Sequence, residues 1–223
     1  AVELALALLL LILVLPDAPG LHFVEQAQLL PWLNYHVGID GLNALFLPLT
    51  ALLGLLAMLY AQPDQREQPG AFAANILAQQ AALVGMFTAL NLLQFWLFAL
   101  AEIIPAAWLI SRWGASPARG QAAWQFIRAM LGGLAALLTG ILLIGWNHAA
   151  QHGGWSFDWI ALLATPLSAG QQSLIFILLF GGLAVRLALF PFHAWLPIVA
   201  QHGTVAAGIV FLVGAKVGIY ALL

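Results

Sequence analysis

The sequence contains no cysteine. That excludes a disulfide framework, a thiolate metal site and an iron–sulfur ligand set. Charge is nearly as scarce. Of 223 residues, 6 are Lys or Arg and 8 are Asp or Glu. These make up 6% of the chain, against about 25% in a soluble globular domain. So few charges cannot cover the surface of a soluble domain, which excludes a cytosolic enzyme and a disordered protein. The net charge of −2 provides no basic field for phosphates, so nucleic acid is excluded as a partner. No HExxH, GxSxG or P-loop motif occurs, which argues against enzymatic chemistry within this chain alone. What is present is apolar: 64% of the residues. The lipid bilayer is the solvent that fits this composition.

A helix needs about 20 apolar residues to cross the bilayer core. Seven stretches meet or approach this: Ala1 to Pro16, Leu42 to Ala61, Ala71 to Leu90, the residues after Asn91 to Ile110, Gln121 to Trp146, Leu167 to Phe190, and Thr204 to the end. The first is short and does not begin with Met, and Leu222–Leu223 reads as a cut inside a helix. The runs are continuously apolar, not alternating, which argues against spanning strands. The expected fold is an all-α, polytopic transmembrane bundle of about seven helices. Residues 1–223 are expected to form one transmembrane domain, a piece of a longer subunit. Arg66, Arg112 and Arg119 fall in alternate loops, so the positive-inside rule places them in the cytoplasm. The 17–40 and 147–166 loops, with Asp17, Glu25, Asp40 and Asp158, then face out. The expected location is the cell inner (plasma) membrane.

Three ionisable residues fall near the middle of an apolar stretch or deep within it. Glu102 lies about 17 Å into its helix at 1.5 Å per residue, and Lys216 is similarly deep. Arg186 sits five residues before Pro191. A charge at the bilayer centre costs at least ~2.5 kcal/mol. Two cations and one carboxylate at similar depth suggest one buried polar axis. A structural ion pair between Glu102 and Arg186 is the plainer alternative and stays open. Arg128 can reach the cytoplasmic boundary by snorkelling. Pro191 and Pro197 each remove a backbone donor, which predicts a broken helix around Pro191. His193 sits in that break, and an imidazole suits a proton shuttle. A neutral histidine donating to a freed carbonyl is the plainer alternative. His148 and His152 stand at i, i+4 in an expected outer loop. No third ligand is evident, so no metal site is assigned.

The stretch Leu183–Pro197 (LAVRLALFPFHAWLP) resembles the signature of the antiporter-like membrane subunits of complex I, close to A-V-K-x-P-x-x-P-x-H-x-W-L-P. Four further segments resemble the M-type chain in the same order. These are Val37–Asn43 (VGIDGLN), Ile104–Pro105 with Ile110–Gly114 (ISRWG), Thr165–Ser168 (TPLS) and Gly214–Tyr220 (GAKVGIY). The resemblance covers nearly the whole chain. It implies a fragment lacking the family's first helix and its second inverted repeat. Inverted repeats, broken helices and midplane sites are a general transporter pattern.

The resemblance implies proton translocation by a subunit of an NADH (or related donor):quinone oxidoreductase, coupled to electron transport. L-type and N-type antiporter-like chains would be its partners. The whole complex would use NADH and quinone, while this chain binds no cofactor. Lys216 would be the central proton carrier. Glu102 and Arg186 would form the charge pair that controls it, and His193 would connect the site to the cytoplasmic half. Two alternatives stay open: a subunit of a multisubunit cation/proton antiporter, and a non-pumping structural subunit. Departures from the pattern bear on this choice. The family's broken-helix lysine is Arg186 here, and arginine does not deprotonate in proteins. The family's glutamate aligns with Leu100, and Glu102 lies two residues later, about 200° around the helix; some family members carry a second glutamate at that later position, and matching Glu102 to that one is the alternative that stays open. The family's frequent lysine is Gln125, with Arg128 three residues on. Its P-D-A-H run becomes Pro197–Ala200, without an acid.

Overall fold

A computed structural model describes residues 2–15, 20–30, 33–60 and 68–221, with side chains for all of these except 29, 30, 33, 205–207 and 209–213. Asp17, Arg66 and Leu222–Leu223 lie outside the described residues. The elements are α1 (Val2–Val14), β1 (His22–Leu30), β2 (Leu33–Ile39), α2 (Asn43–Leu59), α3 (Pro69–Thr88), α4 (Leu92–Trp113), α5 (Arg119–His152), α6 (Trp159–Leu163), α7 (Ala169–Arg186), a 3-10 turn (Phe192–Ala194), α8 (Trp195–His202) and α9 (Val205–Tyr220). Among the described residues, each of the seven apolar stretches contains a helix. Among the described residues, four helices, α3, α4, α5 and α7, are long and apolar enough to cross a membrane. Large apolar side chains such as Leu6, Ile104, Leu163 and Ile177 lie exposed around the bundle. A soluble protein would bury such a belt; lipid covers it at no cost.

Two expectations need correction. Residues 17–40 were expected to form a loop, but β1 and β2 pair there as an antiparallel hairpin, with Gln26 opposite His36. The 147–166 segment was also expected to be a loop. α5 instead runs on to His152, where Gly153 ends it in the left-handed conformation at φ 76°, as glycine does after a helix. His148 and His152 are therefore helical. The broken helix expected around Pro191 is present, its break beginning just before that residue. α7 stops at Arg186, Ala188 takes φ 51°, and Ala188 and Leu189 donate to the Val185 and Ala184 carbonyls. Those two bonds satisfy carbonyls at the helix end.

Local capping explains where the helices start. Asp40 Oδ1 accepts from Asn43 N–H at 2.6 Å, and Asn43 Oδ1 accepts from Asp40 N–H at 2.9 Å. This reciprocal cap opens α2. Asn91 Oδ1 accepts from the Leu93 and Gln94 N–H groups and opens α4. Ser168 and Gln171 form a capping box at the start of α7. Of these, Asp40, Asn43, Ser168 and Gln171 lie in or beside the sequence motifs noted above.

The two ends of the bundle differ in charge. At one end, β2 bridges to Ala89 in the α3–α4 turn, and Asn91 bridges to Asp158. His36 Nδ1 pairs there with Asp158 Oδ2. At the other end, Arg119 donates to the Arg112 and Gly114 carbonyls, at 3.1 and 3.4 Å. Arg112 and Arg119 thus share one end, opposite Asp40 and Asp158, as the alternation of loops predicts.

α5 and α7 pack closely because glycines face each other. A Cβ on Gly182 would lie 2.7 Å from the Gly133 carbonyl oxygen, and one on Gly133 would lie 2.9 Å from Val185 Cβ. Small residues at such crossings are how helices associate in lipid. Gly182 lies one turn before Arg186, so this crossing positions the charge. Gly182→Ile is expected to lower the thermal midpoint, at a cost of about 1–3 kcal/mol typical of overpacking. Thermal unfolding in detergent measures it.

Candidate functional site

Glu102 lies midway along α4, and its carboxylate points into the bundle with 2% exposure. Arg186 is the last residue of α7 and is 8% exposed. Arg186 Nη2 donates to Glu102 Oε2 at 3.1 Å. α4 is a continuous helix through Pro105, so no break is needed to turn Glu102 inward. Leu100, where the resemblance placed the family's carboxylate, is only partly buried and packs against the core. Glu102, two residues along the helix from Leu100, meets the end of the broken helix directly.

A third group completes the cluster. Gln79 on α3 donates its Nε2 to Glu102 Oε1 at 2.7 Å. Each carboxylate oxygen therefore has one donor, a charged one from α7 and a neutral one from α3. One turn away, Asn75 donates to the Pro105 carbonyl of α4 at 3.1 Å. Sequence reasoning missed both amides. The available signal was Asn75, Gln79 and Gln80 at one-turn spacing in an apolar helix, since amides in such helices bond to neighbouring helices. Gln80 meets that expectation too, donating to the Thr50 carbonyl at 3.1 Å. His36 was also missed; its buried contact with Asp158 joins residues 122 apart.

The other expected site residues lie apart from this cluster. α9 passes Arg186 at Gly214, where a Cβ would sit 3.9 Å from Nη2. Lys216 is two residues further, about 200° around the helix, and is exposed. It shares the helix but not the face, so the three charges do not form the single axis that their depth suggested. His193 is exposed in the 3-10 turn, its ring 5.8 Å from that of Phe190. The break is anchored instead by Trp195, whose indole N–H donates to the Val185 carbonyl at 2.9 Å. Arg128 is exposed and lies over Trp124, 5.9 Å from the ring centre. The rings of His148 and His152 meet edge to face, with centroids 4.4 Å apart. Among the described residues no group of three metal-ligating side chains occurs.

Chemically, the cluster is a permanent cation against a group that can take a proton. Arg186 keeps its charge. A proton on Glu102 would neutralise the carboxylate and remove the attraction that holds the guanidinium. In a low-dielectric interior that attraction is far stronger than in water. Protonation of one side chain can therefore release a buried charge at the junction of α7 and its break.

Residues 89–223 match the family described as NADH:quinone oxidoreductase/Mrp antiporter, TM. The chain is 32% identical over 206 residues to NADH-quinone oxidoreductase subunit M of Escherichia coli (strain K12), covering 87% of this chain and 40% of that protein. It is 30% identical over 209 residues to F(420)H(2) dehydrogenase subunit M of Methanosarcina mazei, covering 91% of this chain and 42% of that one. The fold aligns with a chain of respiratory complex I from Thermus thermophilus with bound NADH, at a TM-score of 0.79 and 29% identity, covering 97% of this chain and 44% of that one. The chain thus spans about two fifths of the length of the curated relatives it matches. From motif order, fold and sequence similarity together, the chain belongs to the transmembrane family of NADH:quinone oxidoreductase and Mrp antiporter subunits.

Proposed function

We propose that this chain moves protons across the membrane as part of a larger NADH (or related donor):quinone oxidoreductase, driven by electron transport elsewhere in the assembly. The observation that carries this reading is the buried Glu102–Arg186 pair at 3.1 Å, at the end of a broken helix. In this reading Glu102 is the titrating member. When it takes a proton, Arg186 loses its counter-ion and its charge is free to act across Gly214 on α9. Lys216, on the far face of α9, is the carrier, because lysine can release a proton where arginine cannot. Its exposed face is where the remaining length of the longer relatives would pack. His193 serves the cytoplasmic side of the break. NADH and quinone are used by other subunits, and L-type and N-type chains are the neighbours.

A second reading, a cation/proton antiporter subunit, is favoured by the matched family, whose description covers both kinds of protein. The purified native assembly in sealed vesicles separates the two. Proton uptake that requires donor oxidation and quinone reduction supports the first reading. Proton flux that requires a cation gradient, with no co-purifying quinone reductase activity, replaces it with the second. Full quinone reductase activity whose proton stoichiometry ignores Glu102→Gln and Lys216→Ala would leave the chain a structural subunit.

A further inference from the structure

The buried polar atoms without a hydrogen-bond partner are few. Among the described residues there are seven such side-chain atoms; two belong to the hydrogen-bond partners of Glu102, Gln79 Oε1 and Arg186 Nε, and a third, Asn75 Oδ1, lies one turn before Gln79 on α3. The orientation of the two amides follows from their bonds. Gln79 gives its N–H to a carboxylate and Asn75 gives its N–H to a carbonyl, so in both the oxygen is left over. Both residues are nearly inaccessible, at 1% and 2% exposure. They stand one turn apart on α3. Asn75 lies on the side of Glu102 that faces Pro105 and then Arg112, the basic end of the bundle. Buried polar groups in proteins are satisfied by protein or by ordered water, and buried waters bond to otherwise unsatisfied polar atoms.

We propose that Asn75 and Gln79 form a water-ordering amide track on α3 that gives Glu102 proton access from the Arg112 end. The track lies on the α3 side of the carboxylate, away from Arg186. This proposal rests on the proton-translocation reading for its use, although the track itself is a statement about water. Amides do not titrate, so their part is to hold water by their free oxygens. An excess proton carried on that water passes to a free lone pair of Glu102, which leaves water and a neutral carboxylic acid. The Gln79 N–H then has a weaker acceptor, and the Arg186 contact loosens from the other side. Gln79 and Asn75 are positioning residues here.

These 223 residues contain no cysteine, so each introduced thiol is the only one in this stretch, and the parent assembly, labelled in parallel, gives the background of all other thiols. Asn75→Cys, Gln79→Cys and the buried apolar control Ile76→Cys are introduced singly into the native assembly in vesicles. A small water-soluble thiosulfonate is then applied separately to each membrane side. The expected result is modification of Asn75→Cys from the Arg112 side at least about tenfold faster than Ile76→Cys, since thiol reactivity follows access. Equal rates, or labelling only from the opposite side, overturn the track. Proton translocation tests its use. Asn75→Leu is expected to slow translocation several-fold, and Asn75→Ser, which restores an acceptor oxygen, to recover it. Parent-level translocation in Asn75→Leu overturns the route. If the parent assembly moves no protons, the translocation reading falls, while the labelling still decides whether the track is wet.

Discussion

Glu102→Leu is expected to destabilise the folded bundle by about 3–5 kcal/mol, because it leaves Arg186 as an uncompensated buried charge. The variant also strips Gln79 of its acceptor, so a second buried polar group loses its partner. Removing both charges should be far milder. Glu102→Leu combined with Arg186→Leu replaces the pair by apolar groups, a change that is often neutral or stabilising by about 1–4 kcal/mol. The predicted signature is therefore a strongly non-additive double-mutant cycle. Equilibrium unfolding in detergent, with the four variants side by side, measures it. A single variant no less stable than the double would contradict a direct buried pair.

Lys216→Ala is expected to bring proton translocation down to vesicle leak while the protein still assembles. The two halves of that expectation have separate grounds. Lys216 is exposed and makes no hydrogen bond or ion pair within the described residues, so its loss leaves the bundle's packing intact. Its chemistry is the only lysine chemistry in the chain, since Arg66, Arg112, Arg119, Arg128 and Arg186 account for every other basic residue. Lys216→Arg provides the sharper comparison. It keeps the positive charge but not the releasable proton, and it should be as inactive as the alanine variant. Proton flux measured with a pH-sensitive dye in sealed vesicles reads both. Full flux in Lys216→Arg would mean that charge alone suffices and that Lys216 carries no proton.

Much of the fold was legible because lipid is a demanding solvent. A spanning helix must be apolar along its whole length, so the seven stretches stand out from composition alone. Glu102 and Arg186 were legible for the same reason, since a charge in such a stretch must be accommodated. The features that were not legible depend on azimuth and on weak local signals. Depth along α4 is readable from spacing, but which face meets α7 is not, so the direct contact of Glu102 with Arg186 shows only in the packed helices. Lys216 is the same case in reverse: its depth matched, but α9 turns Gly214, not Lys216, toward Arg186. The hairpin lacks clear alternation in β1 (HFVEQAQLL), and its register is irregular. The end of α5 was missed because Asn147, His148, Gln151 and His152 look like loop residues, although Gly153 marks the true stop. Gln79 and Asn75 were missed because amides carry no charge to catch the eye, yet they complete the site.

Glu102→Gln tests most directly whether Glu102 takes and gives up a proton beside a cation that cannot, because the amide keeps the size of the side chain and an oxygen for Arg186 or Gln79 but cannot be protonated at neutral pH. The measurement is proton translocation by the native assembly in sealed vesicles, with the assembly's own driving reaction followed in the same preparation. The predicted result is an assembled, folded complex whose translocation falls to leak. Translocation at the parent rate in Glu102→Gln would contradict the claim and leave the Glu102–Arg186 pair a structural staple.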